Sequence, residues 1–378
     1  MKKLNFVLIF TLAVGMSACE QVYEVLQPDT EEESGEIPIG IALPLTGRLA
    51  PAGSLMKQGF DLALSEINMS QPDHAQFRFI VADDASTPEG AVEAFNKLIH
   101  EDGVSVIIGP ASSSATQAAF PIAQENQIAA ISPTSSARGL SAIGDYVFRV
   151  PLATDVVISV GVEATQAKLG YQRAATLYDE TDLFSTDRDA TLREVFAANG
   201  IEALPAETFQ GGDTDFSAQL SRIKALNPDV VFVSSLPPDK PVILTQGREL
   251  GITAPFIVSS LTDVEVQDAG AAAEGAITFI GWLPTDDTPV NQAFVQNYSA
   301  EFGMAPNVFA AASYAAVYIL AEAIKNAQST DSTRIRDALA NIKNFDTVLG
   351  KFSFNADGDA VYAPKVLIVK NGALQPFE

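Results

Sequence analysis

The stretch Val104-Ser105-Val106-Ile107-Ile108-Gly109-Pro110-Ala111-Ser112-Ser113-Ser114-Ala115-Thr116 carries the reading of the fold. An apolar run is broken by Gly-Pro, then small hydroxyl residues lead into a helical pattern. This order predicts a strand over 104–108, a tight turn, and a helix over 113–125. A helix start presents unpaired backbone N–H groups and a partial positive charge, so it receives a carboxylate without Lys or Arg. Ser113 and Thr116 offer hydroxyl donors beside it. Taken alone, the same serines read equally as an N-cap, since Ser is a preferred capping residue.

The surrounding chain repeats the unit. Upstream lie a strand over 37–43, a Pro/Gly-rich loop over 44–53, and a helix over 54–68 with Leu55, Gly59, Leu62, Ala63 and Ile67 on one face. A strand over 77–82 and a helix over 89–100 follow, with Pro88 at a first helical position. Downstream, a strand over 128–131 ends in Ser132-Pro133-Thr134-Ser135-Ser136. Strands alternating with helices at this spacing imply parallel pairing through right-handed crossovers, with ligands beyond the C-terminal strand ends. Both hydroxyl-rich stretches sit at such ends.

A second run of the pattern starts near Pro151. Helices are predicted over 156–169, 186–199, 217–226 and 241–250, with strands over 174–178, 202–209, 230–233, 256–258 and 276–280. Asp213-Thr214-Asp215-Phe216 supplies cap chemistry for the 217–226 helix. Two α/β halves in one chain imply two lobes with a cleft between them. Helices over 290–302, 310–326 and 333–342 precede two strands, 351–354 and 366–369, expected to be joined by a hairpin turn at Asn355-Ala356-Asp357-Gly358-Asp359.

Composition narrows the function. The 378 residues are 47% hydrophobic and carry 23 Lys plus Arg against 47 Asp plus Glu, a net charge of -24. That balance repels nucleic acid and anionic lipid. One cysteine, Cys19, with only His74 and His100, argues against a zinc site or a disulfide framework, so no metal and no cofactor is expected. G-x-S-x-G, H-E-x-x-H, G-x-x-x-x-G-K-[ST] and C-x-x-C are all absent, and Ser112, Ser113 and Ser114 have no convincing histidine base. The expectation is a binding protein, not an enzyme.

The N-terminus reads as an export signal over 1–18: Lys2 and Lys3, a short apolar segment, then small residues before Cys19. Ser17-Ala18-Cys19 resembles the lipobox of bacterial lipoproteins, which implies lipidation of Cys19 and an exported, membrane-anchored protein at a periplasmic or cell-surface location. Residues 19–36 read as an acidic tether. Without Lys2 and Lys3 the charge is 21 minus 47, or -26. No later segment reads as long and apolar enough to cross a membrane.

In order along the chain, IGIALPLTG, VADDASTPEGA, VIIGPASSSATQ, ISPTSS, DTDFSAQLSRIKALNPDVVFV and ASYAAVYILAEA resemble the leucine/isoleucine/valine-binding branch of type I periplasmic binding proteins, receptors of ABC uptake systems. The resemblance implies two Rossmann-like lobes with central parallel sheets joined by a three-strand hinge. One lobe would comprise 37–151 plus 282–361, the other 152–281 plus 362–378. It also implies a small-molecule ligand, an amino acid or related carboxylate, ABC permease subunits as partners, and a monomer. Ser113 matches the serine that takes the ligand carboxylate, with Ala111 in the same loop. Thr134 and Ser136 match the pair in the next loop, and Phe309 an aromatic against the ligand side chain. Ser260 stands where the family carries a carboxylate for the ligand ammonium, and Leu236 and Ala52 where it carries aromatics. Phe184-Ser185 stands where a tyrosine is often found, and Ser86 and Ser112 at the two positions of a cleft disulfide. Asp182, Asp239 and Asp263 are candidate substitutes for the missing acid. These departures favour a carboxylate-bearing ligand in a roomier, more apolar pocket, suited to a branched or aromatic acid or an amide. A ligand sensor coupled to a signalling partner and a structural lipoprotein with a degenerate cleft stand as alternatives. Trp282 is expected near a crossing between the lobes.

Overall fold

The computed structural model describes residues 35–70 and 76–378. Cys19, the export signal, most of the tether and His74 lie outside the described residues.

The first lobe is built on five parallel strands. Its elements run β1 (Glu36–Leu43), α1 (Ala50–Ser70), β2 (Gln76–Asp83), α2 (Pro88–Asn96), β3 (Val106–Ile108), α3 (Ser113–Glu125), β4 (Ala129–Ser132) and β5 (Val147–Arg149), in the sheet order β2-β1-β3-β4-β5. Strands β3 and β4 are fully buried, as strands covered by helices on both faces must be. Thr87 caps α2 by accepting from the Gly90 N–H, with Pro88 at the first helical position. The helix then relaxes into a π turn, Lys97–Glu101, that carries His100.

The second lobe contains α4 (Thr154–Leu169), β6 (Arg173–Asp179), α5 (Leu183–Ala198), β7 (Glu202–Ala203), β8 (Glu207–Phe209), α6 (Ser217–Ala225), β9 (Val230–Ser234), α7 (Asp239–Glu249), β10 (Phe256–Ser259), α8 (Asp263–Ala269) and β11 (Ile277–Ile280). The chain then returns to the first lobe with α9 (Pro289–Phe302), α10 (Val308–Ala327), α11 (Ser332–Ala340), β12 (Phe345–Thr347), β13 (Gly350–Phe354) and β14 (Ala360–Val361). It finishes in the second lobe's sheet with β15 (Lys365–Lys370) and β16 (Ala373–Pro376), in the order β16-β15-β11-β10-β9-β6-β7, with β8 also on β6. The chain thus passes between the two sheets three times, after β5, β11 and β14.

Four expectations are corrected. The strand foreseen over 202–209 is two short ones, because both β7 and β8 pair only with β6 at a sheet edge. The turn at Asn355 to Asp359 does form, with Asn355 Oδ1 accepting from the Asp357 and Asp359 N–H groups, but it joins β13 to β14. The strand β15 lies in the other lobe, antiparallel to β11 with Ile277 opposite Ile368, so the second sheet is mixed. The expected cap of α6 does form within 213–216: Phe216, a core residue, takes the cap position, and Asp215 Oδ1 accepts from the Ser217 N–H at 2.9 Å. Finally, α10 is long and apolar enough by composition to cross a membrane. It is instead the central core helix of the first lobe, with Ala311, Ala315, Ala316, Ile319 and Leu320 buried. Small residues let it press against α1: a Cβ on Gly59 would stand 2.3 Å from the Ala310 carbonyl oxygen.

Candidate ligand-binding site

A cavity of about 120 Å³ opens between the lobes at the C-terminal ends of both sheets. Ala111 and Ser113 reach it from the turn after β3, Thr134 and Ser136 from the loop after β4, and Phe309 from the first turn of α10. Leu236 follows β9 and Ser260 follows β10 on the opposite side. These seven residues therefore line one space, together with Ala52, Ser112 and Phe184, whereas Ser86, Ser185 and the three candidate acids do not line it.

Hydroxyl groups sew the two first-lobe loops together. The Thr134 hydroxyl donates to the Ala111 carbonyl at 2.7 Å and the Ser135 hydroxyl to the same oxygen at 3.1 Å. The Ser132 hydroxyl reaches the Pro110 carbonyl at 2.8 Å, and Thr116 and Ser135 meet hydroxyl to hydroxyl at 2.5 Å. Thr116 is thus fully buried inside this web and does not face the cavity. The cap of α3 is Ser112, which accepts from the Ala115 N–H. Ser113 stands one residue further on. Its oxygen accepts from the Ala137 N–H at 3.2 Å, which leaves the hydroxyl proton for an incoming acceptor. The turn requires Gly109: its φ is +131°, and a Cβ there would sit 2.1 Å from the Ala42 carbonyl oxygen.

Beneath the second loop, Arg149 is fully buried. Its Nε donates to Asp359 at 2.7 Å and its guanidinium also reaches the Ala137 and Ser135 carbonyls.

The second-lobe wall is cationic. Lys240 pairs with Glu265 at 3.0 Å and donates to the Ser260 carbonyl at 3.1 Å. Arg188, on α5, is 5% exposed, and burial pushes its guanidinium down to about 10. Ser235 lines the same wall with its hydroxyl unpartnered. Among the described residues, no Asp or Glu lines the cavity. Asp182 caps α5 and Asp239 faces Arg48, so both are already engaged. Asp263 starts α8 beside a separate, smaller cavity.

Three polar contacts bridge the cleft. Arg48, after β1, pairs with Asp179 at 3.0 Å and with Asp239. Ser114 accepts from the Leu183 N–H at 3.0 Å and donates to Asp182 at 3.2 Å. Arg138 binds Asp187 through Nε at 2.7 Å and Glu194 at 2.7 Å. Trp282 follows β11 at a crossing between the sheets, buried, with its Nε1 donating to Asn291 at 2.7 Å.

Residues 36–373 match the model of a family described as periplasmic binding protein. The chain belongs to that family. This periplasmic binding protein is 27% identical over 334 residues to the leucine-, isoleucine-, valine-, threonine-, and alanine-binding protein of Pseudomonas aeruginosa, covering 85% of this chain and 87% of the relative. It superimposes with a TM-score of 0.84 on LivJ, the branched-chain amino acid transporter substrate-binding protein of Streptococcus pneumoniae, solved with isoleucine. That match has 29% identity and covers 90% of this chain and 98% of the other. A solute-binding protein of an R. palustris ABC transporter, solved with benzoate, gives 0.83 at 25% identity, covering 91% and 96%. Members of this family are extracytoplasmic, non-enzymatic substrate-binding proteins of ABC transporters, which work with membrane permeases.

Sequence reasoning missed Arg188 and the bridging residues Arg48 and Arg138 of this periplasmic binding protein. The available signal was the spacing of Phe184 and Arg188, four residues apart on one face of a helix.

Proposed function

We propose that this chain is the receptor of an uptake system for a small hydrophobic carboxylate, tethered by lipid on Cys19 and acting as a monomer. The lobes would be 37–151 plus 282–361 and 152–281 plus 362–378. The ligand settles first on Ser113, Thr134 and Ser136, with Ala111 and Phe309 against its body. The second lobe, with Leu236 and Ser260, then closes over it by hinge motion. Contacts made only in the closed state draw the equilibrium toward closure, and the closed shape is what a permease recognises.

One observation carries this reading: residues drawn from five separate segments of two lobes converge on one cavity, mostly apolar, with hydroxyls along one wall. A thermal-shift panel tests it, using branched-chain amino acids, their amides, and branched and aromatic carboxylic acids. A ligand at about one hundred times its Kd stabilises the native state by about 2.7 kcal/mol, which raises Tm by several degrees. If no member of the panel moves the melt, the receptor reading fails.

A further inference from the structure

Among the described residues, Arg188 has no hydrogen-bond or ion-pair partner. Its Nε is buried without a hydrogen bond, and among the described residues nothing accepts from its guanidinium or pairs with it. The acids beside it are engaged elsewhere: Asp187 accepts both the Nε and the backbone N–H of Arg138, and Asp189 pairs with Arg193. Its favourable neighbours are the Phe184 ring, 5.4 Å away, and, without contact, the Asp187 carboxylate that Arg138 holds. Lys240, the other cation in the wall, is balanced by Glu265. Among the described residues the cavity lining therefore holds one cation without an ion pair or hydrogen bond of its own, and no acid. A buried, unpaired charge is costly, and a structure retains one where a counter-charge arrives from outside.

We propose that Arg188 is the second lobe's anchor for the ligand carboxylate, and that the ligand is a hydrophobic carboxylic acid lacking an α-ammonium group. This inference rests on the cleft-receptor reading and narrows it to one charge type. The geometry supports a carboxylate shared between lobes. The first turn of α5 is docked on the first turn of α3 through Ser114 and Leu183, which brings Arg188 to the end of α3 that carries Ser113. A planar guanidinium matches a carboxylate in bidentate fashion, and the Ser113 hydroxyl adds a donor from the opposite side. An ammonium on the adjacent carbon would face arginine with no acid in the wall to receive it. Met56, Leu49, Val308, Phe309, Phe279 and Leu236 leave the rest of the space to hydrocarbon.

Matched pairs decide the matter by calorimetry on the full chain: 4-methylpentanoate against leucine, 3-phenylpropanoate against phenylalanine, and benzoate against benzamide. We expect at least one acid to bind about 100-fold more tightly than its amino-acid or amide counterpart. Arg188→Met should weaken that acid about 30-fold or more, while the melting temperature of the ligand-free protein stays level or rises because a stranded buried charge is gone. Arg188→Lys should recover part of the affinity. A purely structural arginine gives the opposite pattern: Arg188→Met lowers the melt and leaves charge preference intact. Leucine or phenylalanine binding as tightly as the matched acid overturns the inference while the receptor reading stands. If nothing in either series binds, both fall.

Discussion

At the residue scale, Ser113 is tied yet unspent. Its oxygen already accepts from Ala137, which orients the hydroxyl, and the proton remains to donate into the cavity. Ser113→Ala should weaken a bound carboxylate by about 1–3 kcal/mol, the value of a hydrogen bond to a charged group. Calorimetry with the tightest acid measures the loss. Unchanged affinity in a folded variant would remove Ser113 from the site. The serines were legible in the sequence because a hydroxyl beside a helix start after a strand has few physical roles. Which of them caps and which faces outward was not, since that depends on whether Ser112 or Ser113 takes the last non-helical position. Arg188 was illegible for a different reason. Its isolation arises only when Arg138, fifty residues earlier, crosses the cleft and occupies Asp187.

At the scale of elements, the grip depends on the 132–136 loop being held rigid from below. Arg149 does this from the end of β5, joining Asp359 to the Ser135 and Ala137 carbonyls. Asp359 belongs to the turn between β13 and β14, so a segment over two hundred residues away fixes the loop that carries Thr134 and Ser136. Removing one partner of a buried pair strands the other. Asp359→Ala should cost about 2–4 kcal/mol, somewhat below the fully buried case because Asp359 is 20% exposed. Denaturant titration reads the change, and a loss under about 1 kcal/mol would show that Arg149 is satisfied by carbonyls alone. The turn itself was readable from Asn-Ala-Asp-Gly-Asp. Its partners were not, because short strands choose neighbours by tertiary packing: β13 finds β12 and β14, while β15 runs to the other lobe. The long alternation of β1 to β11, by contrast, was visible because strands followed by helices leave little freedom in a parallel sheet.

For the whole molecule the governing quantity is the balance between open and closed lobes, and the bridging contacts set it. Arg48 faces two carboxylates at once, Asp179 and Asp239, so the contact carries a surplus negative charge. Burial raises Asp239 to about 6, with Arg48 opposing the rise and Asp179 adding to it; Lys240, next in the chain, opposes it as well. Asp182, at the Ser114 contact, is raised too, chiefly by burial. Both acids lie in the second lobe, as do Asp179 and Lys240, and the partner each meets across the cleft, Arg48 or Ser114, lowers its pKa by favouring the carboxylate. Protonating Asp239 as pH falls through about 6 therefore removes an ion pair that the closed form makes, and closure weakens on acidification. The change falls between pH 7 and about 5.5, a range in which a hydrophobic carboxylic acid stays largely ionised. Small-angle scattering of the ligand-free protein should show the radius of gyration growing over that interval. Asp239→Asn, neutral at every pH, should flatten Asp239's share of the response and leave the part due to Asp182. Scattering that is independent of pH, or a molecule that closes on acidification, would mean the Arg48 cluster does not couple protonation to closure.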